Sequence, residues 1–334
     1  MTPDRFGVLV TLPLVSSRFP DEPVSASARR MAADAAAVAA DAAATPDAAA
    51  TADAAREVPS PTGLTSSSGD VYTHGHQPAV VAQHARRTAE DCAAFARHVI
   101  GSDARILDIG CGPASITVGL ARWAERGHVT GIEVTDEILA TAAATIAEAG
   151  VDNVTLAKQS VYKLPYGDGT FDVAYAHQVC QHLSKPVAAI AEMARVVRPG
   201  GWVAVRDSDY STMRGYPSST EITRWREVYR QVCRHNGAEP DAGRHLFSWF
   251  RAAGLPDVAM SASVWQFWTP ETRRNWGHSW ADRCLNTSFA RQAVEYGYAT
   301  SDEMQQIAAG WRAWADDPDG YFHFIHSEAL AQVN

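Results

Sequence analysis

Lysine is nearly missing from this chain: of 29 basic residues only Lys158, Lys163 and Lys185 are lysine, and 38 acidic residues leave a formal net charge of −9. With no basic stripe, a phosphate-backbone binder is excluded and no nucleic-acid partner is expected. Residues 1–70 hold 5 basic and 9 acidic side chains, so the remainder carries only −5. Long apolar runs are missing too. No stretch of about 18 uncharged apolar residues exists, so no helix spans a bilayer and a soluble protein without a membrane partner is expected. Residues 6–15 imitate a secretory apolar region, but Pro13 interrupts it and Ser16-Ser17-Arg18 is a poor cleavage site.

Cysteine is sparse. Cys92, Cys111, Cys180, Cys233 and Cys284 are an odd number without a C-x-x-C pair, which excludes a disulfide framework and favours reduced thiols in a cytoplasm. Metal-ligand spacing is also wanting. His74-x-His76 and the scattered His177, His182, His235 and His245 form no H-E-x-x-H and no Cys/His quartet, so no metal is expected.

What is present is a globular composition, 46% hydrophobic and 20% charged over 334 residues. Residues 31–55 contain 16 alanines. Methyl side chains bury too little area to offset ordering entropy, so residues 1–58 read as a tail. Pro59-Ser60-Pro61-Thr62-Gly63 and Ser66-Ser67-Ser68-Gly69 read as a linker, and the folded unit should begin near Asp70. The expected divisions are therefore 1–69 tail and linker, 70–268 a main domain with a helical insertion at 218–241, and 269–334 a helical extension.

Within the main domain, apolar runs alternate with amphipathic segments. Helices are expected over 86–100, 115–125, 136–149 (capped by Asp136), 186–197, 218–236 and 242–253. Strands are expected over 104–109, 128–133, 154–157, 171–176 and 202–207, with one or two closing strands in 258–268. This alternation predicts a doubly wound, mostly parallel α/β sheet whose ligand lies beyond the carboxyl ends of its strands.

The sharpest chemical signal is ILDIGCGP at 106–113, a buried strand ending in an acid, followed by a glycine turn that opens a helix. The glycines let backbone approach a ligand closely. A dinucleotide fingerprint would place glycine at 115, where this chain has Ser115. A nicotinamide oxidoreductase is therefore disfavoured, all the more by the acid at 108.

With GIEVTDEIL at 131–139, LPYGDGTFDVAYAHQVCQHL at 164–183 and RVVRPGGWVAVRD at 195–207, the chain resembles the class I S-adenosylmethionine (SAM) dependent methyltransferases. Within them it is most similar to the ubiquinone-biosynthesis-like (methyltransferase type 11) small-molecule branch. The resemblance implies a Rossmann-like sheet of seven strands and SAM as cofactor. It implies that Gly110, Cys111 and Gly112 hold the methionine portion, that Asp108 organises the loop, and that Glu133, with Val134 beside it, meets the ribose hydroxyls. Independently of family, an acid 25 residues after Asp108 at the end of the second strand is where nucleotide-binding sheets hold a ribose.

Ser160 stands where many relatives have an adenine-binding Asp, and the Val161 backbone can meet the adenine ring. Ala114 stands where the family usually has another glycine. His177 follows the fourth strand as a cofactor-side residue, and His177 or His182 could deprotonate an acceptor. Asp209, beyond the fifth strand, is a further catalytic candidate. Tyr72 and His76 lie where an N-terminal lid crosses the cofactor in relatives, and both are expected to touch SAM or the acceptor. Cys111, expected to be buried in the loop, is not expected to be a nucleophile.

Six of ten tryptophans (Trp265, Trp268, Trp276, Trp280, Trp311, Trp314) fall after residue 260. Most should be core, with a substrate-lining role open for some. The segment from Tyr72 is similar to secondary-metabolite methyltransferases with a Tyr-x-x-Gly-His entry, such as the fungal gliotoxin thiomethyltransferase. That resemblance implies methylation of a small molecule, with a thiol of a reduced dithiol as favoured acceptor. The alternatives are O- or N-methylation of a small metabolite, or SAM binding without catalysis. A monomer or homodimer is expected.

Overall fold

The computed structural model describes residues 70, 72, 73 and 84–334. The Ala-rich tail, the whole linker and His76 lie outside the described residues. The first elements are α1 (Ala89–Cys92) and a 3-10 stretch (Ala94–Val99), where a continuous helix over 86–100 was expected. Thr88 caps α1 by accepting from the Asp91 amide. The helix tightens where the Tyr175 hydroxyl donates to the Cys92 carbonyl at 2.9 Å and the Ala96 amide turns instead to Ala93.

Five strands then form a parallel half-sheet: β1 (Arg105–Ile109), β2 (His128–Glu133), β3 (Val154–Lys158), β4 (Phe171–His177) and β5 (Val197–Ser208). Their spatial order is β3-β2-β1-β4-β5, the doubly wound arrangement that the strand–helix alternation implies. The crossovers include α2 (Ser115–Trp123), α3 (Asp136–Ala149) and α4 (Pro186–Val196). Asp136 is the first residue of α3 rather than its cap; Thr135 holds the extended cap position. Pro186 opens α4, where its missing amide costs nothing.

After β5 come β6 (Arg214–Tyr216), α5 (Thr220–His235), α6 (Leu246–Ala252) and β7 (Val258–Phe267). Residues 269–334 are not helical throughout. Helices α7 (Pro270–Asn286), α8 (Ser288–Glu295) and α9 (Ser301–Asp316) are followed by a long strand, β8 (Tyr321–Gln332). β8 lies antiparallel between β5 and β7, and its first residues also pair with β6. The described sheet thus has eight strands rather than seven, and the segment expected as an extension supplies one of its inner strands. The physical signal is the period of two along β8, whose side chains alternate between half-buried and buried from Tyr321 to Glu328.

Two apolar cores cover the faces of the parallel half, one around Leu107, Ile190 and Val205, the other around Ile106, Leu120 and Ala204. A third core joins α5, α7, α8 and α9 to Phe322 and Phe324 of β8. Trp225, Trp280 and Trp311 are completely buried at its centre, with Trp276 and Trp314 beside them. These aromatic residues are core, and none of them lines the cavity described next.

Candidate functional site

A cavity of about 610 Å³ opens at the carboxyl ends of β1, β2 and β4. That is within the range of small-molecule and cofactor sites. It brings together Tyr72, Asp108, Gly110, Cys111, Gly112, Glu133, Val134, Ser160, Val161, His177 and His182. Residues separated by up to 110 positions meet because parallel strands all end on the same side of the sheet.

The loop after β1 has the backbone that glycine makes possible. Gly110 and Gly112 have φ of +64° and +55°. A Cβ on Gly110 would come within 2.6 Å of Val179 Cγ2, so the site has no room for a side chain there. Ala114 also adopts a left-handed conformation, φ +64°, directly before α2. An alanine pays about 1–2 kcal/mol of strain in that conformation.

Asp108, buried at the end of β1, accepts a hydrogen bond from the Thr117 hydroxyl at 2.6 Å. Burial raises its carboxyl to about 7; the Thr117 bond acts in the opposite direction, and Glu133 adds to the rise. Glu133 is likewise raised by burial, opposed by the amides of Val134 and Gly112. Its Oε2 accepts from the Val134 amide at 2.6 Å. Beside it, the buried Thr135 hydroxyl has no hydrogen-bond partner among the described residues. A carboxylate and an unpaired hydroxyl on one wall suit a vicinal diol. The cramped turn at Gly110 and this pair fit an adenosyl amino acid such as SAM.

Burial also pushes the Cys111 thiol far up, so it is neutral and unreactive. Ser160 and Val161 stand after β3, at one end of the row of strand ends. The Ser160 hydroxyl accepts weakly from the Tyr162 amide at 3.4 Å.

At the other end stands His177. It is 6% exposed, and its Nδ1 lies 3.4 Å from Nη1 of Arg206. Burial first, then Arg206, Arg87 and His326, hold its pKa well below the ordinary imidazole value. His177 is therefore neutral near pH 7 and a weaker base than an ordinary imidazole. His182 lines the same cavity and meets the Tyr72 ring edge-on at 4.7 Å between centroids. Burial raises the Tyr72 hydroxyl to about 12.

Asp209 does not belong to this group. Its carboxylate is clamped by Arg244 at 2.7 and 3.0 Å, and it caps the short 3-10 turn after β5 by accepting from the Ser211 amide. It does not line the cavity, so the expected catalytic role is replaced by a structural one.

Sequence reasoning passed over Arg87. This residue lines the cavity, donates from Nη2 to Gln178 Oε1 at 2.7 Å and lies over the Trp265 ring at 5.4 Å. Gln178 has φ +54°, rare for its residue type. Three bonds hold it there: from Arg87, to His326 Nε2 at 2.6 Å, and from its own amide to the Arg206 carbonyl at 2.8 Å.

Comparison with known proteins bears on this geometry. A methyltransferase-domain family model matches residues 100–254. An uncharacterized methyltransferase of Schizosaccharomyces pombe is 32% identical over 268 residues, covering 78% of this chain and 95% of the relative. A probable methyltransferase of Aspergillus luteorubrus is 29% identical over 288 residues, covering 81% and 98%. Among solved structures, phosphoethanolamine N-methyltransferase 2 of Haemonchus contortus, in complex with S-adenosyl-L-methionine, superposes with a TM-score of 0.45 at 17% identity. It covers 72% of this chain and 52% of that one.

Proposed function

Because the chain belongs to the methyltransferase family and its cofactor is S-adenosyl-L-methionine, we propose that it methylates a small secondary metabolite, with a thiol of a reduced dithiol as the favoured acceptor. The cofactor, when bound, supplies a methyl group already activated on a sulfonium. What remains for the protein is to bind, align and exclude water. In this reading Glu133 accepts from the ribose hydroxyls, the loop from Gly110 to Gly112 borders the methionine portion, and Ser160 and Val161 meet the adenine. Tyr72, His177 and His182 border the transfer end.

The observation that carries the thiol reading is the state of His177. Its Nδ1 faces a guanidinium, which has only donors, so the proton sits on Nε2. A neutral imidazole protonated there takes no proton from an acceptor. A thiol ionises near pH 8.5, about 1.5 units below a phenol and far below an alcohol, and so needs the least help from a base. His182 remains the residue through which a hydroxyl or amine would have to be deprotonated, which is the second reading.

The test is incubation with methyl-labelled SAM and matched panels of reduced dithiols, phenols, carboxylic acids and amines, read by mass spectrometry. Label on sulfur is expected. Label confined to oxygen or nitrogen would replace the thiol reading and make His182 the first residue to mutate.

A further inference from the structure

The wall of the cavity at the β4 end offers hydrogen-bond donors and very little else. The Arg87 guanidinium has five N–H donors, and its one hydrogen bond among the described residues goes to Gln178. No carboxylate lies within ion-pair distance of it among the described residues; the nearby Cys92 and Tyr72 are neutral, and the other groups acting on it, Arg283 and Arg206, are cations. His177 Nε2, fixed as a donor by Arg206 at the opposite nitrogen, is buried and has no partner among the described residues. The groups bearing on His177 are Arg206, Arg87 and His326, none of them acidic.

Arg206 differs. It has its own counter-charge, Glu328 at 3.3 Å, which also accepts from Ser261 and Ser263. Arg87 has none of this. The Gln178 amide is oriented by the same logic: its oxygen faces Arg87, so its NH2 donates to His326 Nε2. That bond puts the His326 proton on Nδ1, another buried donor without a partner among the described residues. A guanidinium without a carboxylate, next to an imidazole locked as a donor, matches only a group that accepts and carries negative charge.

We propose that Arg87 and His177 form a carboxylate seat at the end of the cavity opposite Ser160. This rests on the methyltransferase reading of the same cavity. The carboxylate has two possible sources, the methionine end of the cofactor or the methyl acceptor, and both present the same planar, acceptor-only anion to the Arg87 fork.

Calorimetry on the full chain separates them. Wild-type protein is titrated with S-adenosylhomocysteine, then with methylthioadenosine, which keeps the nucleoside thioether and lacks the amino acid, and finally, as the S-adenosylhomocysteine complex, with benzoate and benzamide. Arg87→Gln is measured in the same way. A loss of tenfold or more for S-adenosylhomocysteine, with methylthioadenosine within twofold, assigns the seat to the cofactor carboxylate. Unchanged S-adenosylhomocysteine with a tenfold loss of benzoate, and none of benzamide, assigns it to the acceptor.

Equal losses for both nucleosides, or no loss for any ligand, overturn the proposal. Arg87→Lys guards against a folding artefact: it keeps the charge and should recover at least a third of the lost affinity, whereas a purely structural role for the fork would leave it as poor as Arg87→Gln. Failure of wild-type protein to bind S-adenosylhomocysteine would instead strike the cofactor reading beneath it.

Discussion

The hydroxyl of Thr117, in the first turn of α2, donates to Asp108 Oδ2 at 2.6 Å and ties the helix to the acid that ends β1. It is the one side-chain donor that reaches this buried carboxyl among the described residues. Thr117→Val, which keeps the shape and removes the donor, should destabilise the fold by about 1–3 kcal/mol. Denaturant melts at pH 8 measure it; a change below 0.5 kcal/mol, roughly the scatter expected of neutral surface substitutions, would count against this tie.

Stability should fall as pH rises from about 4 to 7. Asp207, fully buried, is raised from 3.8 to about 7, chiefly by burial. Between those two values the folded protein holds a proton that the unfolded chain has released, so folding is favoured at the acid end of the window. Asp207 Oδ1 has no partner while Oδ2 accepts from the Gln181 amide, an arrangement that an asparagine can reproduce. Asp207→Asn should therefore stabilise by about 2–4 kcal/mol at pH 8 and by little at pH 4. Thermal melts at the two pH values decide it, and an equal shift at both would contradict the assignment.

Ala114→Gly should relieve the left-handed strain before α2. The expected gain is about 1 kcal/mol, or 2–4 °C in Tm for a domain of this size. Scanning calorimetry that shows a loss would mean the loop gains more from alanine's lower unfolded-state entropy than it loses to strain.

Glu133→Ala removes the acid from the wall of the cavity. Loss of charge-assisted hydrogen bonds costs about 1.5–3 kcal/mol, so S-adenosylhomocysteine affinity should fall at least tenfold. Unchanged affinity would take Glu133 out of the ribose role.

Glu328→Ala strips the counter-charge from Arg206, which is completely buried. An uncompensated buried charge costs about 3–5 kcal/mol, which should lower Tm by 6 °C or more. Equilibrium unfolding that moved by less than 1 kcal/mol would show that water reaches Arg206.

The parallel half of this fold is legible in the sequence because its signals are local. Strand β1, the glycine turn and α2 follow one another within twenty residues, and Pro186 opens α4; β5 begins at Val197, ahead of the expected 202, and runs through Gly200-Gly201. β8 was harder to read. Its alternation of Phe322, Phe324 and His326 has the period of a strand, and Asp317-Pro318-Asp319-Gly320 before it has the composition of a turn. Three helices precede it, however, and its pairing partners lie far away in the chain.

The site divides in the same way. Residues on the strand ends could be found from spacing. Asp209 could not be dismissed, since nothing near it in sequence announces Arg244, 35 positions on. Arg87 was hidden by composition: where nearly every cation is arginine, one more carries no signal until its partners are seen.

The position of β8 has a consequence for how the molecule assembles. β5 and β7 both wait for a strand that follows β5 by more than a hundred residues. Until it docks, β5 presents a row of bare amides and carbonyls, a template for pairing with another chain. Contacts of such sequence separation form late and slowly. Cutting the chain at residue 268 would leave that vacancy permanent, so aggregation rather than a smaller soluble domain is the expected product, while a break between α7 and α9 leaves the docking strand free to return.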